Sequence, residues 1–209
     1  MVAAVLTIAK LRQWSVRYYN DTSRAALNAA MDRRSAGGGL GEYYTEGETR
    51  GAVWMVAGDA AAAAGLAGLS DEQRAGGVAD LDVVARWLDD GVAPNGASGR
   101  RFAERHNHGF DLTFCAPKSV SVLRALDTTG VVSKAVVEAH TAGITAAMEY
   151  LARHAGYTRV HNPETGMKDL VRLPGLIAAG YQHETSRAGD PHLHTHVLVP
   201  NRQPRADGT

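Results

Sequence analysis

Hydrophobic and polar positions alternate near the C-terminal end of the chain. Leu193, Thr195, Val197 and Val199 alternate with His192, His194, His196 and Leu198. A β-strand sends successive side chains to opposite faces, so this segment predicts a strand with one mainly apolar face and one face that carries imidazoles. Leu176 to His183 predicts a second strand, and the residues between, Ser186, Gly189, Asp190 and Pro191, are typical of a turn. We therefore expect a hairpin that brings His183 beside the alternating histidines.

The rest of the pattern predicts one α/β domain. Helical spacing of apolar residues is found over 11–19, about 24–34, 60–69, 78–88 and from Ser133 to Gly156. The polar residues 20–23 separate the first two of these segments. The first helix would carry Leu11, Trp14, Ser15 and Tyr18 on one face. Residues 5–8 suit a short strand. Another strand is predicted where Phe110, Leu112 and Phe114 alternate with Asp111, Thr113 and Cys115, which puts Asp111 opposite the aromatic face.

The histidine-rich hairpin is the strongest candidate for chemistry. His183 to His196 contains four of the chain's nine histidines. Three neutral imidazoles on a rigid sheet can bind one divalent cation and leave coordination positions open for catalysis. The alternatives are a solvated strand face or a purely structural site. Spacing leaves open whether His192 joins, replaces or only neighbours the set His183, His194 and His196, and such a site suits hydrolysis, oxygen chemistry or phosphoryl transfer.

Composition narrows the setting of this chemistry. The 209 residues include 22 basic and 22 acidic side chains, so the net charge of zero predicts no global attraction to nucleic acid, and contact with a polyanion must be local. Cys115 is the only cysteine, which excludes an internal disulfide and fits a reducing compartment. The N-terminus lacks a secretory leader and no run has membrane-spanning length. These features predict a cytoplasmic protein without membrane insertion.

Four segments carry a resemblance to a known family. They read "YQHETSRAGDPHLHTHVLV", "FDLTFCAPKSVSVL", "VRYYNDT" and "EYYTEG". Together they resemble the relaxase domain of TrwC-like (MobF-type) conjugative relaxases, which are HUH endonucleases of bacteria. The resemblance runs from the N-terminus almost to the last residue. It implies an α/β (α+β) fold in which helices pack on one face of an antiparallel, palm-like sheet.

The resemblance also implies an activity and assigns residues to it. In that family a tyrosine attacks a phosphodiester of single-stranded DNA at a transfer origin and becomes bound to the 5′ phosphate. The metal ligands would be His183, His194 and His196, which leaves out His192. The nucleophile would be Tyr18 or Tyr19, and Tyr43 and Tyr44 resemble the tyrosines of a second strand transfer. Because a phenol has a pKa near ~10, it needs a helper at neutral pH, and Asp111 is the candidate to accept its proton or orient a ligand imidazole.

The same resemblance sets the expected cofactor, partners and domain extent. We expect Mg²⁺ or Mn²⁺, with Zn²⁺ as a further candidate, and as partners the single-stranded DNA of a transfer origin together with conjugation accessory and coupling proteins. Residues 1–209 would form a relaxase domain that is incomplete at its C-terminus and has no helicase region, because the chain has no Gly-x-x-x-x-Gly-Lys-Ser/Thr loop. The alternatives are an inactive remnant that binds metal and DNA, and an unrelated three-histidine metalloenzyme acting on a small molecule.

Overall fold

Antiparallel strands form the centre of the fold. The computed structural model describes residues 6–36, 51–186 and 188–208. Within these residues a five-stranded sheet has the order β1-β3-β7-β6-β2, and a separate two-stranded ribbon pairs β4 with β5. The strands are β1 (Leu6–Leu11), β2 (Val53–Gly58), β3 (Gly109–Cys115), β4 (Tyr157–His161), β5 (Lys168–Arg172), β6 (Gly175–Thr185) and β7 (Pro191–Pro200). The helices are α1 (Ser15–Ala36), α2 (Ala60–Ala67), α3 (Asp71–Arg74), α4 (Leu81–Asp90), α5 (Lys118–Ala125) and α6 (Val131–Ala155).

The predicted mixed α/β fold with an antiparallel sheet is confirmed, and so is the histidine hairpin, which is β6 paired with β7. The expectation of helices on one face is wrong in this detail, because helices cover both faces. Ile177 and Ala179 pack with α2 and α4 on one side, whereas Ala178 and Val197 pack with α6 on the other. The physical reason lies in the continuous apolar run at the start of β6, which is buried from Gly175 to Tyr181 and needs cover on both faces.

Helix α1 differs from its prediction. It is one continuous helix from residue 15 to residue 36, without the predicted interruption at 20–23. Its buried face carries Val16, Tyr19, Asn20 and Ser23, which have helical spacing although two of them are polar. Asn20 tolerates this burial because its amide donates to the Leu81 carbonyl (2.8 Å) and its Oδ1 accepts the hydroxyl of Tyr181 (2.8 Å). Distant partners thus keep a turn-forming residue inside the helix.

Register decides which side chains share a face of the sheet. His183 lies opposite His194 in the β6–β7 pair, and Thr113 lies opposite His196 in the β3–β7 pair. Asp111 is two residues from Thr113 and therefore points to the same side, which we call the histidine face. Helix α1 packs on this face through the core that contains Val16 and Tyr19. Among the described residues, no helix is both long and apolar enough to cross a bilayer.

Candidate active site

Three imidazoles form a triangle on the histidine face. The ring centres of His183 and His194 are 5.2 Å apart, those of His183 and His196 are 5.5 Å apart, and those of His194 and His196 are 5.2 Å apart. His192 lies beside this triangle, with its ring centre 4.9 Å from that of His194. The hairpin therefore brings together the three histidines of the predicted ligand set.

Hydrogen bonds orient these rings. Nδ1 of His196 donates to the carboxylate of Asp111, at 2.9 and 3.0 Å from its two oxygens. Nδ1 of His194 lies 2.8 Å from the carbonyl oxygen of His192, which only accepts, so this nitrogen carries the proton. Both rings then keep an Nε2 lone pair for a ligand. Nε2 of His183 is buried and has no hydrogen-bond partner among the residues that the structure describes.

Burial favours the neutral form of two of these imidazoles, those of His183 and His194. It lowers the pKa of His183 to about 4, with the nearby rings of His194 and His196 adding to the effect. Burial likewise lowers the pKa of His194. Neutral imidazole is the form that binds a metal ion. These side chains are therefore in the ligand state at neutral pH without losing a proton.

The spacing of the three rings fits a single cation. Imidazoles that share one tetrahedral ion at about 2.1 Å have ring centres roughly 5.3 Å apart, close to the separations in the triangle. Within 6–36, 51–186 and 188–208, however, no three His, Cys, Asp or Glu side chains form a ready-made metal site. The ring positions suit an ion, and the ring orientations would have to adjust on binding.

Asp111 links the histidine triangle to the tyrosine pair. The hydroxyl of Tyr19 donates to Asp111 Oδ2 (2.7 Å), and the hydroxyl of Thr113 donates to Oδ1 (3.3 Å). Burial alone would raise the pKa of Asp111, but the hydrogen bonds from His196 and Tyr19 outweigh it and hold that pKa below its ordinary value. Asp111 is therefore an ionised acceptor that aligns a phenol and an imidazole at once.

The two adjacent tyrosines occupy different environments. Tyr19 is 9% exposed, and its ring centre lies 5.0 Å from that of His196 and 5.7 Å from that of Tyr181. Tyr18 is 50% exposed and meets the Tyr19 ring edge-on at 5.3 Å. Tyr43 and Tyr44 lie outside the described residues.

Two features of the site were not predicted from the sequence. Thr113 bonds to Asp111 and lies 3.1 Å from Nδ1 of His196, and its place two residues after Asp111 was an available signal. Glu184, which directly follows His183, forms a two-point ion pair with Arg124 on α5. No local pattern in the sequence indicated that pair, because its members are 60 residues apart.

Comparison with known proteins is consistent with this geometry. The chain is 35% identical over 173 residues to the multifunctional conjugation protein TraI of Escherichia coli, and 36% identical over 177 residues to the protein of that name from strain K12. These alignments cover 78% and 80% of this chain but 9% of the length of each relative.

Solved structures of the conjugative relaxase TrwC share the fold. A metal-bound complex with OriT DNA matches with a TM-score of 0.62 and 26% identity, over 98% of this chain and 59% of that one. A complex with mutant OriT DNA matches with a TM-score of 0.59 and 26% identity, over 98% of this chain and 58% of that one. The family model described as TrwC relaxase matches residues 13–209. This chain therefore belongs to the TrwC relaxase family.

Proposed function

We propose that this chain cuts single-stranded DNA at a conjugative transfer origin and retains the cut strand through a bond between tyrosine and the 5′ phosphate. The observation that carries the proposal is the hydrogen-bonded series Tyr19–Asp111–His196, which joins the tyrosine pair to the histidine triangle. Family membership supports it, and so do the names of relatives that act in conjugation and of solved relatives bound to OriT DNA.

Tyr18 is the proposed nucleophile. Its oxygen would attack phosphorus as the bond to the 3′ oxygen breaks, and the proton lost by the phenol is balanced by the one that the 3′ oxygen takes up. The reacting atoms have to approach to about 3–3.5 Å, which favours a half-exposed side chain over a buried one when the substrate is a DNA strand. Tyr19, whose hydroxyl donates to Asp111, is then a positioning residue for the carboxylate.

Asp111 would act by alignment. Its lowered pKa makes it a weak proton acceptor, but as a stable anion it fixes the proton of His196 on Nδ1. The phosphotyrosine ester retains the energy of the broken phosphodiester, so the reverse attack by a 3′ hydroxyl would reseal the strand or join it to another. Tyr43 and Tyr44 remain the proposed tyrosines of a second transfer.

The proposed metal ligands are His183, His194 and His196. A bound divalent cation would supply positive charge to polarise the scissile phosphate and stabilise the transition state. Three imidazole nitrogens suit Zn²⁺ best, whereas Mg²⁺ and Mn²⁺ prefer oxygen ligands. Phosphate oxygens of the DNA would fill the remaining coordination positions, and such mixed nitrogen and oxygen ligation suits Mn²⁺ better than Mg²⁺. Of the ions expected from the sequence, we therefore propose Mn²⁺ first, with Zn²⁺ as a competitor for the same site. Conjugation accessory and coupling proteins remain proposed partners.

An oligonucleotide assay tests the proposal. A single strand that spans the transfer origin is labelled at its 3′ end and incubated with the chain and Mn²⁺, and the label is followed on a denaturing protein gel. We expect a labelled protein band, together with a shortened, protein-free product when the label is at the 5′ end. DNA binding without any adduct would refute cutting and indicate a binding module. Tight metal binding without DNA binding would indicate a small-molecule enzyme.

Variants assign the roles. Tyr18→Phe is expected to abolish the adduct, whereas Tyr19→Phe slows its formation and leaves it detectable. The reverse result would make Tyr19 the nucleophile. His194→Ala is expected to lose bound Mn²⁺ and the adduct together, and His192→Ala is the matched control that keeps both. Chelation by EDTA should abolish the adduct in the wild type, and added Mn²⁺ should restore it.

A further inference from the structure

An exposed tryptophan lies at the start of the helix that carries the tyrosine pair. Trp14 is 48% exposed, whereas Trp54 and Trp87 are each 2% exposed in the core. These are the three tryptophans of the chain. Tryptophan usually stabilises a protein by being buried in the core. A tryptophan that stays half exposed beside the proposed nucleophile is therefore a candidate for contact with a ligand.

The protein holds Trp14 in an unfavourable backbone conformation. Its φ is +71°, in the left-handed region that a bulky residue rarely adopts. Its backbone N–H donates to Oδ1 of Asp89 on α4 (2.8 Å). This hydrogen bond ties the backbone of Trp14 to α4 and holds the conformation in place. Strain of this kind persists where surrounding contacts impose it, and here it sets the direction of an exposed indole.

One cation contacts this indole, and two more basic residues precede it in the chain. The guanidinium of Arg17 lies 4.1 Å from the centre of the Trp14 ring, in a cation–π contact. Lys10 and Arg12 are exposed on the segment that precedes Trp14. Aromatic rings among cations are the combination with which proteins bind single strands, since the ring stacks on a base and the cations contact the backbone.

Trp14 is also close to the proposed nucleophile. Trp14 directly precedes the first residue of α1, and Tyr18 follows four positions later. Arg17, which contacts the Trp14 ring, is the neighbour of Tyr18 in the chain. Four positions correspond to about 6 Å along a helix axis. That distance corresponds to about two nucleotides at the 3.4 Å spacing of a duplex strand. A strand with a phosphate at Tyr18 would therefore bring a neighbouring base to the indole.

We propose that Trp14, with Arg17 against its ring, is a stacking site for a nucleobase within about two nucleotides of the phosphate that Tyr18 attacks. This inference rests on the proposed function. Trp14 would bind and position the DNA strand and would take no part in making or breaking bonds. Loss of the indole should therefore weaken binding and leave the chemistry of the fully bound complex intact.

Tryptophan fluorescence of the full chain reports the contact directly. A stacked base quenches an indole, so the oligonucleotide should quench the wild type in the presence of Mn²⁺. Trp14→Phe should lose the quenching, because the two remaining tryptophans are buried. Quenching that persists in Trp14→Phe would overturn the proposal.

Affinity and adduct yield give the second measurement. Trp14→Ala should bind the oligonucleotide about tenfold more weakly, whereas Trp14→Phe keeps a stacking ring and stays within about threefold of the wild type. Both variants place an ordinary L-residue at the same φ, so their backbones are matched. Tyr150→Ala, which removes a 62% exposed aromatic residue on α6, is the control expected to change nothing. At saturating oligonucleotide, Trp14→Ala should give the wild-type adduct yield.

The outcomes separate the two proposals. Wild-type affinity in Trp14→Ala, with normal adduct, refutes the stacking site and leaves the cutting proposal standing. Quenching and weakened Trp14→Ala binding without any adduct refute cutting and leave the stacking site standing. A wild type that neither binds nor cuts the oligonucleotide refutes both.

Discussion

The ion pair between Arg124 and Glu184 offers a sharp test of how the hairpin is held. Two nitrogens of Arg124 on α5 donate to the two carboxylate oxygens of Glu184 on β6, at 2.5 and 2.6 Å. Their side chains are 15% and 9% exposed. Because Glu184 follows His183 directly, the pair anchors the end of the strand that carries a proposed metal ligand.

Removing one partner would leave the other charge buried. Breaking such a pair costs about 3–5 kcal/mol, whereas replacing both partners by apolar residues of similar volume is often neutral. We therefore expect Arg124→Met or Glu184→Leu to lower the free energy of unfolding by about 3–5 kcal/mol. At this chain length that loss lowers Tm by roughly 6–20 °C. The double variant should be more stable than either single variant.

Urea unfolding followed by tryptophan fluorescence measures these free energies. Arg74→Met is the matched control, because Arg74 pairs with Asp71 at 3.0 Å with side chains 36% and 96% exposed, and an exposed pair contributes less than about 1 kcal/mol. If Arg124→Met falls within about 0.5 kcal/mol of the wild type, the pair is solvated and the reasoning fails. A double variant less stable than both single variants would also contradict it.

Three further changes test packing, charge and capping, each by urea unfolding. Gly109→Ala would place a Cβ 2.7 Å from Cδ2 of Leu88 and should lower the free energy of unfolding by about 1–3 kcal/mol. Gly143 lies in α6, and a Cβ there would meet no atom within 4 Å, so Gly143→Ala should raise the free energy of unfolding by about 0.5–1 kcal/mol. Burial raises the pKa of Asp89 above 3.8, so the ionised carboxylate destabilises the fold as pH rises through the raised pKa. Asp89→Asn should therefore have a higher free energy of unfolding than the wild type at neutral pH. This difference should vanish as pH falls toward 3.8. Asp80→Ala removes the acceptor of two N–H groups at the start of α4 and should cost about 1 kcal/mol.

Local periodicity was sufficient to predict the histidine hairpin. The alternation over 192–199 survives in the structure because one face of β7 packs against α6 through Val197 and Val199 and the other carries the imidazoles. The same argument correctly predicted the strand that contains Asp111 and the long helix that became α6. In each case the signal lay within one element, where a period of 2 or 3.6 residues determines which side chains are buried.

Long-range contacts account for what the sequence could not predict. The continuous α1 depends on bonds from Asn20 to Leu81 and Tyr181, which lie 61 and 161 residues away. Tyr18 and Tyr19 are identical in type and adjacent, and consecutive residues point about 100° apart on a helix. Which of them faces Asp111 depends on how α1 is rotated against the sheet. The apolar spacing of Leu11, Trp14 and Tyr18 indicated a face that carries Tyr18, whereas the buried tyrosine is Tyr19. β2 and the β4–β5 ribbon were not predicted either.

The geometry of the site depends on strand register as much as on the residues that form it. Asp111 reaches His196 across 85 positions of sequence because β3 and β7 pair with Asp111 opposite Leu198. A slip of one residue would turn Asp111 to the α6 face and bring an aromatic neighbour to the histidine face. Phe114 resists that slip, since it is buried in the α6-side core and has no equivalent place among the imidazoles. Gly109 adds to this constraint, because a Cβ there would meet the carbonyl of Val199 at 2.8 Å. The apolar residues of β3 therefore contribute to the site indirectly, by holding the carboxylate where a tyrosine and a histidine can share it.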